Sequence, residues 1–526
     1  MRKNAIIMAA GTASRFAPLS YERPKGLLRV KGEVLIERQI RQLKEAGISD
    51  VIIVVGYMAE KFAYLKDMFG VAIVQNEDYN RYNNTSSIIR VIDELRNTYI
   101  CSSDNYFPQN VFLDEPICSY YSALYANGDT DEYCLTTDDE GIITDVKVGG
   151  KDSWYMIGHV FFSEDFSTKF REVLKKEYIS EQTRHEYWED IYIRHIDELP
   201  PMKIHKYQPN DIKEFDSLEE LRQFDETYIY NTECQMFKNI CQVLKCEEKD
   251  IVEINVLKKG MTNCSFAFTC KKDGNKYVYR HPGAGTEEFV NRVNEQFALQ
   301  VAKENNLDKT YVAMDPLSGW KISHFIEDVE TLNPQTIQDA DNMQKIANIY
   351  QILHHSNVKL KQVFNIFREI EKYDILIEQA NETMYEGWDF VKKEIANIEK
   401  KLSLIGIDLH PCHNDAVPEN FIKTLDGTIY LIDWEYSGMN DPLADIAALF
   451  LESSFSRDNK DRFLSLYFKG SVPENSHIKI LYYQILWDCL WAQWTIIKEA
   501  KGDNFGTYGI DRFSRAISNL NVIKNR

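Results

Sequence analysis

The stretch from His410 to Asp433 reads HPCHNDAVPENFIKTLDGTIYLID, and it decides the fold of the C-terminal half. Asp415 and Asn420 lie in a polar loop, and Asp433 follows the apolar, β-like run 429–432. This spacing is typical of kinase-like phosphotransferases, in which the first Asp accepts a hydroxyl proton, the Asn holds a metal ion and the second Asp bridges Mg²⁺ to the nucleotide. Because an apolar strand flanks the second Asp, a chance constellation is disfavoured.

Upstream of this loop, the sequence has the pattern of a nucleotide-binding lobe. Two strand-like runs flank a Gly-containing turn at 259–263, and long helical periodicities dominate beyond about residue 329. Together with the loop, this region resembles the choline and ethanolamine kinases over roughly residues 251–526. The resemblance implies that Thr262 and Asn263 cover the ATP phosphates, that Arg280 pairs with the phosphates and with Glu295, and that Phe325 and Ile326 contact the adenine. Arg280 stands where protein kinases carry a lysine, and a guanidinium can make the same pairing bidentately.

Aromatic and acidic residues late in the chain suggest a site for an organic cation. Glu435 and Tyr436 follow the metal-binding Asp, Glu452 ends a predicted helix, and Trp491 and Trp494 lie on one helical face. A quaternary ammonium group donates no hydrogen bond, so aromatic faces with nearby carboxylates bind it best. The pattern therefore favours choline over aminoglycosides, although plain core packing of the tryptophans carries about equal weight.

The N-terminal half begins as an α/β domain. An apolar run at 4–10 is followed by a polar loop, an amphipathic helix that Gly47 ends, and the β-branched run 51–55. Further strand-like runs lie at 70–74, 98–101 and 154–162. We predict a Rossmann-like domain with a mixed, mainly parallel sheet and helices on both faces.

The loop after the first strand has the composition of a phosphate-binding turn. Its small residues let the backbone approach a ligand closely, and Arg15 and Lys25 can neutralise a triphosphate. An ordinary strand–helix connection is the alternative. The residues predicted to bind the nucleotide here are Ala10, Gly11, Thr12, Ala13 and Ser14.

Residues 1 to about 228 resemble the nucleoside triphosphate transferases, and most closely their bacterial phosphocholine cytidylyltransferase branch. The common family pattern has a second glycine where Ala13 stands. The resemblance implies that Asp104, which follows a strand, and the motif of Glu214 and Asp216 hold Mg²⁺, as hard carboxylate oxygens can. For Asp216 the alternative is a carboxylate that only favours the start of the next helix.

Two further segments could contact the substrates of this half. Asn84, Ser86 and Ser87 resemble the branch's cytosine-contacting segment, with a helix N-cap as an equally weighted alternative. Aromatic and acidic residues could hold a trimethylammonium group, with core packing as the competing explanation. These residues are Trp154, Tyr187, Trp188 and Asp190.

The whole chain is then predicted to be an α/β protein of two domains, residues 1–228 and 229–526, the second with lobes at about 233–328 and 329–526. The expected enzyme phosphorylates choline with ATP and couples phosphocholine to CMP from CTP, with Mg²⁺ in both halves. The net charge of −20 disfavours nucleic-acid partners. The run 481–497 carries charge and falls short of a membrane span, so we predict a buried helix, no membrane partner and a cytoplasmic location.

The sequence also leaves rival functions open. One is a sugar-1-phosphate nucleotidyltransferase fused to a sugar, aminoglycoside or ethanolamine kinase. Another is a chain in which one half binds nucleotide without turnover. The oligomeric state, a homo-oligomer included, is undetermined by sequence.

Overall fold

The computed structural model describes residues 2–257, 263–283, 289–500, 503 and 505–524. The chain divides into two compact units, Met1–Val256 and Leu257–Arg526. The segment 229–256, which the sequence prediction assigned to the second domain, is thus compact with the first unit. The model is mixed α/β.

The first unit is built on a nine-stranded sheet in the order β10-β9-β11-β6-β1-β4-β5, in which β8 also pairs with β11, and β12 pairs with β8. Strands β6, β1, β4 and β5 are parallel, as predicted. The strands are β1 (Lys3–Ala9), β2 (Arg29–Val30), β3 (Glu33–Val34), β4 (Val51–Val55), β5 (Ala72–Gln75), β6 (Asn97–Ser102), β7 (Asn105–Tyr106), β8 (Tyr120–Tyr125), β9 (Asp129–Thr137), β10 (Ile143–Lys151), β11 (Trp154–Phe162), β12 (Lys203–Lys206) and β13 (Lys213–Glu214).

Helices cover both faces of this sheet. Successive residues of a strand point to opposite sides, so strands that are apolar at every position need cover on both faces. Ile6 and Ile100 belong to one buried cluster and Ile7 and Ile53 to another. The helices are α1 (Leu19–Glu22), α2 (Leu35–Glu45), α3 (Tyr64–Phe69), α4 (Thr85–Ile88), α5 (Glu164–Glu177), α6 (Glu181–Arg184), α7 (Trp188–Arg194), α8 (Leu218–Phe224), α9 (Thr227–Tyr230) and α10 (Gln235–Leu244).

In the second unit, β15, β16, β18 and β17 lie in this order in one sheet; β14 is the last strand of the first unit. Two small sheets, β19-β21-β22 and β20-β23, carry the polar loops of the second unit. The remaining strands are β14 (Ile251–Val256), β15 (Asn263–Cys270), β16 (Asn275–Pro282), β17 (Tyr311–Met314), β18 (Lys321–His324), β19 (Glu330–Thr331), β20 (His410–Cys412), β21 (Phe421–Lys423), β22 (Ile429–Leu431) and β23 (Gly438–Asn440).

One long helix runs through the core of the second unit. This is α17, and the predicted buried run 481–497 lies inside it, with most of its side chains buried. Within the described residues, no helix combines the length and apolarity that a membrane span requires. The helices are α11 (Arg292–Glu304), α12 (Ala340–His354), α13 (Ile366–Gln379), α14 (Trp388–Ile405), α15 (Pro442–Glu452), α16 (Arg457–Tyr467), α17 (Ser476–Ala500) and α18 (Tyr508–Lys524).

Candidate active sites

A cleft of about 510 Å³ opens in the first unit where the parallel strands β1, β5 and β6 end. Ligand sites of open α/β sheets gather at this edge. The cleft is lined by predicted residues from the loop, namely Ala10, Gly11, Thr12, Ala13, Arg15 and Lys25. It is also lined by residues that the sequence prediction missed, among them Asn76, Tyr79 and Tyr82. Asn76 directly follows β5, so its place at a strand end was a readable signal.

Three carboxylates and two cations meet in this cleft. Lys25 Nζ lies 2.7 Å from Asp104 Oδ2, and an Arg15 guanidinium nitrogen lies 3.4 Å from Asp216 Oδ1. The short strand β13 pairs with β7, which places Glu214 opposite the residue after Asp104. The carboxylates of Asp104, Glu214 and Asp216 thus supply the hard oxygen donors that Mg²⁺ prefers.

The electrostatics of this cluster shift two pKa values. Desolvation in the cleft and the charge of Asp104 together raise the pKa of Glu214 to about 7, against the opposing charge of Lys25. Burial lowers the pKa of Lys25, but its ion pair with Asp104 and the other two carboxylates together raise that pKa above its ordinary value. The site therefore holds Lys25 charged beside acids that a cation would stabilise.

The loop geometry explains why small residues stand here. Ala13 has a φ of 47°, in the left-handed region that favours glycine, which accounts for the glycine of the family pattern at this position. A Cβ on Gly26 would lie 2.9 Å from the Ser103 side chain, so the backbone after Lys25 packs directly against the segment that carries Asp104. Ser14 begins a short 3₁₀ helix, and its side chain lies outside the described part of the structure.

The predicted cytosine-contacting segment is only partly in the cleft. Asn84 and Ser87 line it. Ser86 is fully buried, accepts a 2.8 Å hydrogen bond from Asn76 and donates one to a backbone carbonyl, so it supports the cleft wall rather than lining it. The Asn84 amide is itself fixed, since it donates to Glu189 and accepts from the backbone N–H of residue 188.

The predicted cation pocket of the first unit is dispersed in the structure. Tyr187 lines the cleft. Trp188 is 3% exposed and stacks on Tyr121 in the core, so the core-packing alternative holds for it. Asp190 accepts hydrogen bonds from the Tyr133 hydroxyl and from the Tyr187 backbone N–H.

Trp154, the fourth residue of that pocket, lies on the antiparallel part of the sheet. It packs edge-on against Tyr125, with the Lys206 ammonium 4.9 Å from its ring centroid. It is not among the residues that line the cleft.

In the second unit, the loop after β20 brings Asp415 and Asn420 together. The Asn420 amide donates to the Asp415 carboxylate over 3.1 Å and to its carbonyl over 2.9 Å. Burial raises the pKa of Asp415 well above its usual range, and the charges of Asp433 and Glu435 add to the shift. Asp433 follows β22 in a left-handed conformation, with a φ of 65°. The three predicted residues therefore lie in one region, as the sequence spacing indicated.

Arg280 and Glu295 form the predicted pair. Two guanidinium nitrogens of Arg280 donate to the two carboxylate oxygens of Glu295, at 2.6 and 3.0 Å. The pKa of Glu295 falls to about 2, because the ion pair with Arg280 and the charges of Lys321 and Arg292 outweigh the effect of burial. Arg280 also lies 3.8 Å from Asp433, which links the two predicted motifs.

Two cations of this cluster were missed from the sequence. Lys321 Nζ lies 3.9 Å from Asp433 and 3.7 Å from Glu295. Arg292 bridges Glu295, at 2.7 Å, and Glu435, at 3.2 Å. Lys321 opens β18 opposite Arg280 in the sheet register, so strand pairing was the signal that could have revealed it.

The predicted adenine and phosphate contacts are less completely described. Thr262 lies outside the described residues, as does the side chain of Asn263. Phe325 and Ile326 follow β18 and are half-buried, and the Phe325 N–H donates to the Lys276 carbonyl. This position after the strand is compatible with the predicted hinge.

Of the residues predicted for the cation site, Tyr436 and Trp491 meet, with ring centroids 6.0 Å apart at 90°. They line a small cavity of about 10 Å³ with Trp487, Tyr373, Glu369 and Asn414 of the loop after β20. Trp494 is 3% exposed and does not line this cavity.

The two carboxylates predicted for this site are engaged elsewhere. Glu435 lies within ion-pair distance of Arg280 and Arg292. Glu452 accepts two 2.6 Å hydrogen bonds from one guanidinium nitrogen of Arg512. The carboxylate that lines the aromatic cavity is instead Glu369, which sequence reasoning missed because α13 carries no motif.

These geometries define a nucleotidyl-transfer cleft in the first unit and a kinase-like phosphotransfer site in the second. The Choline/ethanolamine kinase family model matches residues 254–517, and the MobA-like NTP transferase domain model matches residues 5–126. The chain belongs to the choline/ethanolamine kinase family through its second unit and to the NTP transferases related to choline-phosphate cytidylyltransferase through its first.

Named relatives match each half separately. The choline-phosphate cytidylyltransferase of Streptococcus pneumoniae strain R6 is 36% identical over 222 residues, which is 42% of this chain and 96% of the relative. The 2-aminoethylphosphonate cytidylyltransferase of Lancefieldella rimae is also 36% identical, over 44% of this chain and 94% of the relative. Protein LicA of Haemophilus influenzae strain Rd is 31% identical over 47% of this chain and 94% of the relative.

Proposed function

We propose that the second unit phosphorylates choline with ATP and that the first unit transfers CMP from CTP to the resulting phosphocholine, giving CDP-choline and pyrophosphate. The observation that carries this proposal is the presence of two separate sets of acids and cations, one in each half, each matched by relatives of the corresponding activity. We further propose that both steps take place in the cytoplasm and require Mg²⁺.

In the cytidylyl-transfer step, a phosphate oxygen of phosphocholine attacks the α-phosphorus of CTP, and the bond to pyrophosphate breaks. Lys25 and Arg15 offset the charge that develops on the α-phosphate and on the leaving group. Asp104, Glu214 and Asp216 would hold Mg²⁺, which neutralises phosphate charge when bound. Asn83 and Ser87 line the wall on which the base could lie.

In the kinase step, Asp415 accepts the proton of the choline hydroxyl, whose oxygen attacks the γ-phosphorus of ATP while ADP leaves. Arg280, held by Glu295, orients the phosphates. Asn420 and Asp433 would hold Mg²⁺, which would supply positive charge against the ATP phosphates. The rings of Tyr436 and Trp491 would have to move apart to face the trimethylammonium group, because the cavity beside them has a volume of about 10 Å³, and Glu369 would supply the nearby negative charge.

A second candidate substrate class has a primary ammonium group. It is supported by the family description, which includes ethanolamine, and by the 2-aminoethylphosphonate cytidylyltransferase relative. Ethanolamine would then be the kinase substrate, and phosphoethanolamine or 2-aminoethylphosphonate the acceptor of CMP. Engagement of Glu435 and Glu452 by arginines favours choline, because an aromatic cavity with one carboxylate offers few acceptors for ammonium N–H donors.

The test is an incubation of the full chain with radiolabelled choline, ATP, CTP and Mg²⁺. We expect labelled CDP-choline, accumulation of phosphocholine when CTP is omitted, and no product when ATP is omitted. Parallel reactions with ethanolamine and 2-aminoethylphosphonate measure kcat/KM for the second class. A higher kcat/KM for either primary amine would reverse the substrate assignment, and turnover of a sugar phosphate alone would overturn it.

A further inference from the structure

Two sets of hydrogen bonds, the first and second ties, hold the loop that carries Lys25 to a segment that follows the sheet of the first unit. One set lies before Lys25 and the other after it. We infer that residues 225–236, the strap, position Lys25 for cytidylyl transfer. This inference rests on the proposed role of Lys25. The strap then belongs to the cytidylyltransferase domain, although the domain boundary predicted from the sequence, at residue 228, falls inside the strap.

The first tie lies just ahead of Lys25. The Glu22 carboxylate accepts 3.0 Å hydrogen bonds from the backbone N–H groups of Gln235 and Met236, the first residues of the ten-residue helix α10. The thiol of Cys234, which is fully buried, donates to the same carboxylate over 3.3 Å. One carboxylate therefore satisfies several donors of a helix N-terminus, an arrangement in which its negative charge is favoured.

A second contact reinforces this side. The Arg23 guanidinium donates to the carbonyl of Glu233 over 3.0 Å and lies 3.4 Å from its carboxylate. Because Glu22 and Arg23 are consecutive and both bind the strap, the chain is held two residues before Lys25.

The second tie lies beyond Lys25. The Asp225 carboxylate accepts a 2.5 Å hydrogen bond from the backbone N–H of Lys31, and the Tyr228 hydroxyl donates to the carbonyl of Arg29. Asp225 and Tyr228 are each 5% exposed, so water does not compete for these bonds. Asp225 is fixed in turn, since its other oxygen accepts from the N–H and hydroxyl of Thr227.

Between the two ties, Lys25 makes its ion pair with Asp104, lies 5.4 Å from the Phe16 ring centroid and accepts the Leu28 N–H through its carbonyl, while Gly26 packs closely on Ser103. That ion pair involves a residue that must also serve the nucleotide, so the backbone of the loop has to be fixed independently. The strap supplies that fixation. A displacement of about 1 Å in a catalytic group can lower a rate by about 10²-fold.

The test uses two variants of the full chain. Tyr228→Phe removes one hydroxyl and keeps the ring, and Glu22→Ala removes the helix-capping carboxylate. We expect each to lower kcat for cytidylyl transfer by about tenfold, with choline phosphorylation unchanged. Ser163→Ala, which removes the side-chain cap of α5 in the same unit, is the matched control and is expected to leave that kcat unchanged.

A double-mutant cycle separates positioning from general destabilisation. In a Lys25→Ala background, measured in single-turnover reactions, Tyr228→Phe and Glu22→Ala are expected to have no further effect, because the group that they position is gone. Equal rate losses in both backgrounds, or no loss in either, would overturn the inference.

Hydrogen exchange tests the strap without reference to activity. In both variants, the amides of residues 19–31 are expected to exchange faster, while those of β4 are unchanged. Unaltered exchange in 19–31 would refute the strap even if Lys25 is catalytic. Faster exchange together with a Lys25→Ala variant of normal activity would instead show that the proposed role of Lys25 fails.

Discussion

Asp445 fixes the backbone of the kinase loop, and its replacement by asparagine should disable phosphotransfer. Its fully buried carboxylate accepts hydrogen bonds from the N–H groups of His413, at 2.7 Å, and Asn414, at 2.6 Å. The side chain of His354 lies against the same carboxylate, at 3.1 Å. Three groups that precede or support Asp415 thus depend on one side chain.

The expected loss of stability in Asp445→Asn follows from the loss of one hydrogen-bond acceptor. Asparagine offers a single carbonyl oxygen, so one of the two backbone N–H groups is left buried and unpaired, at a cost of about 1–3 kcal/mol. We expect the free energy of unfolding of the second unit to fall by that amount. Because the unpaired group adjoins Asp415, we also expect kcat for choline phosphorylation to fall by roughly 10–100-fold, as for a small misplacement of a catalytic group.

The assay compares choline phosphorylation and cytidylyl transfer in the same Asp445→Asn preparation, with hydrogen exchange of β20 and α15 to report stability. Asp441→Ala is the matched control, since Asp441 caps the same helix through the N–H of Leu443 without contacting the loop backbone. The control should lose stability and keep its kinase kcat. A normal kinase kcat in Asp445→Asn, or an equal loss in the control, would refute the reasoning.

Three other predictions follow from the two sites. Asp104→Ala should abolish cytidylyl transfer and spare choline phosphorylation, and Asp415→Ala should do the reverse; loss of both activities in either variant would contradict separate sites. Arg280→Lys keeps the charge but cannot make two parallel bonds to Glu295, so kcat/KM for ATP should fall by about 10–100-fold, and a value within twofold of the parent would count against the pairing. Burial raises the pKa of Glu189 to about 7. The folded state therefore keeps this proton up to a higher pH than the unfolded state does. As the pH rises from about 4.5 to about 7, the free energy of unfolding should fall by up to ~3 kcal/mol. Glu189→Gln should flatten that decline in hydrogen exchange of β1, and an unchanged slope would exclude this carboxyl as its source.

Much of the fold could be read from the sequence, because apolar runs and loop chemistry are local signals. The strands at 51–55 and 154–162 have their predicted bounds. Ser217 caps α8 through the N–H of Glu220, which is the spacing typical of a helix start. The strand-end position of Asp104 and the spacing of Asp415, Asn420 and Asp433 likewise placed polar groups where the structure gathers them. These signals depend on neighbours within a few residues.

The choice between core and ligand site could not be made this way. Trp188 and Trp494 have the same local pattern as residues that line a cavity, yet neither lines the cleft of the first unit or the aromatic cavity of the second, because the packing of distant elements decides which helix face is covered. A helical periodicity marks a face as apolar and does not say whether protein or ligand fills the space beside it.

The pairing of charges is the least local feature, and it changes the chemistry expected of the kinase half. Glu435 meets Arg292 across 143 residues, and Glu452 meets Arg512 across 60, so no motif could reveal that both acids were engaged. Once they are bound to arginines, they can contribute little to attracting an organic cation. Under the proposed kinase function, recognition would then fall to aromatic faces and to Glu369, whose ion pair with the half-exposed Lys372, at 3.6 Å, is screened by solvent. Such a cavity selects by ring contact rather than by hydrogen-bond acceptors, and for that reason a methylated ammonium should gain more from it than a primary one.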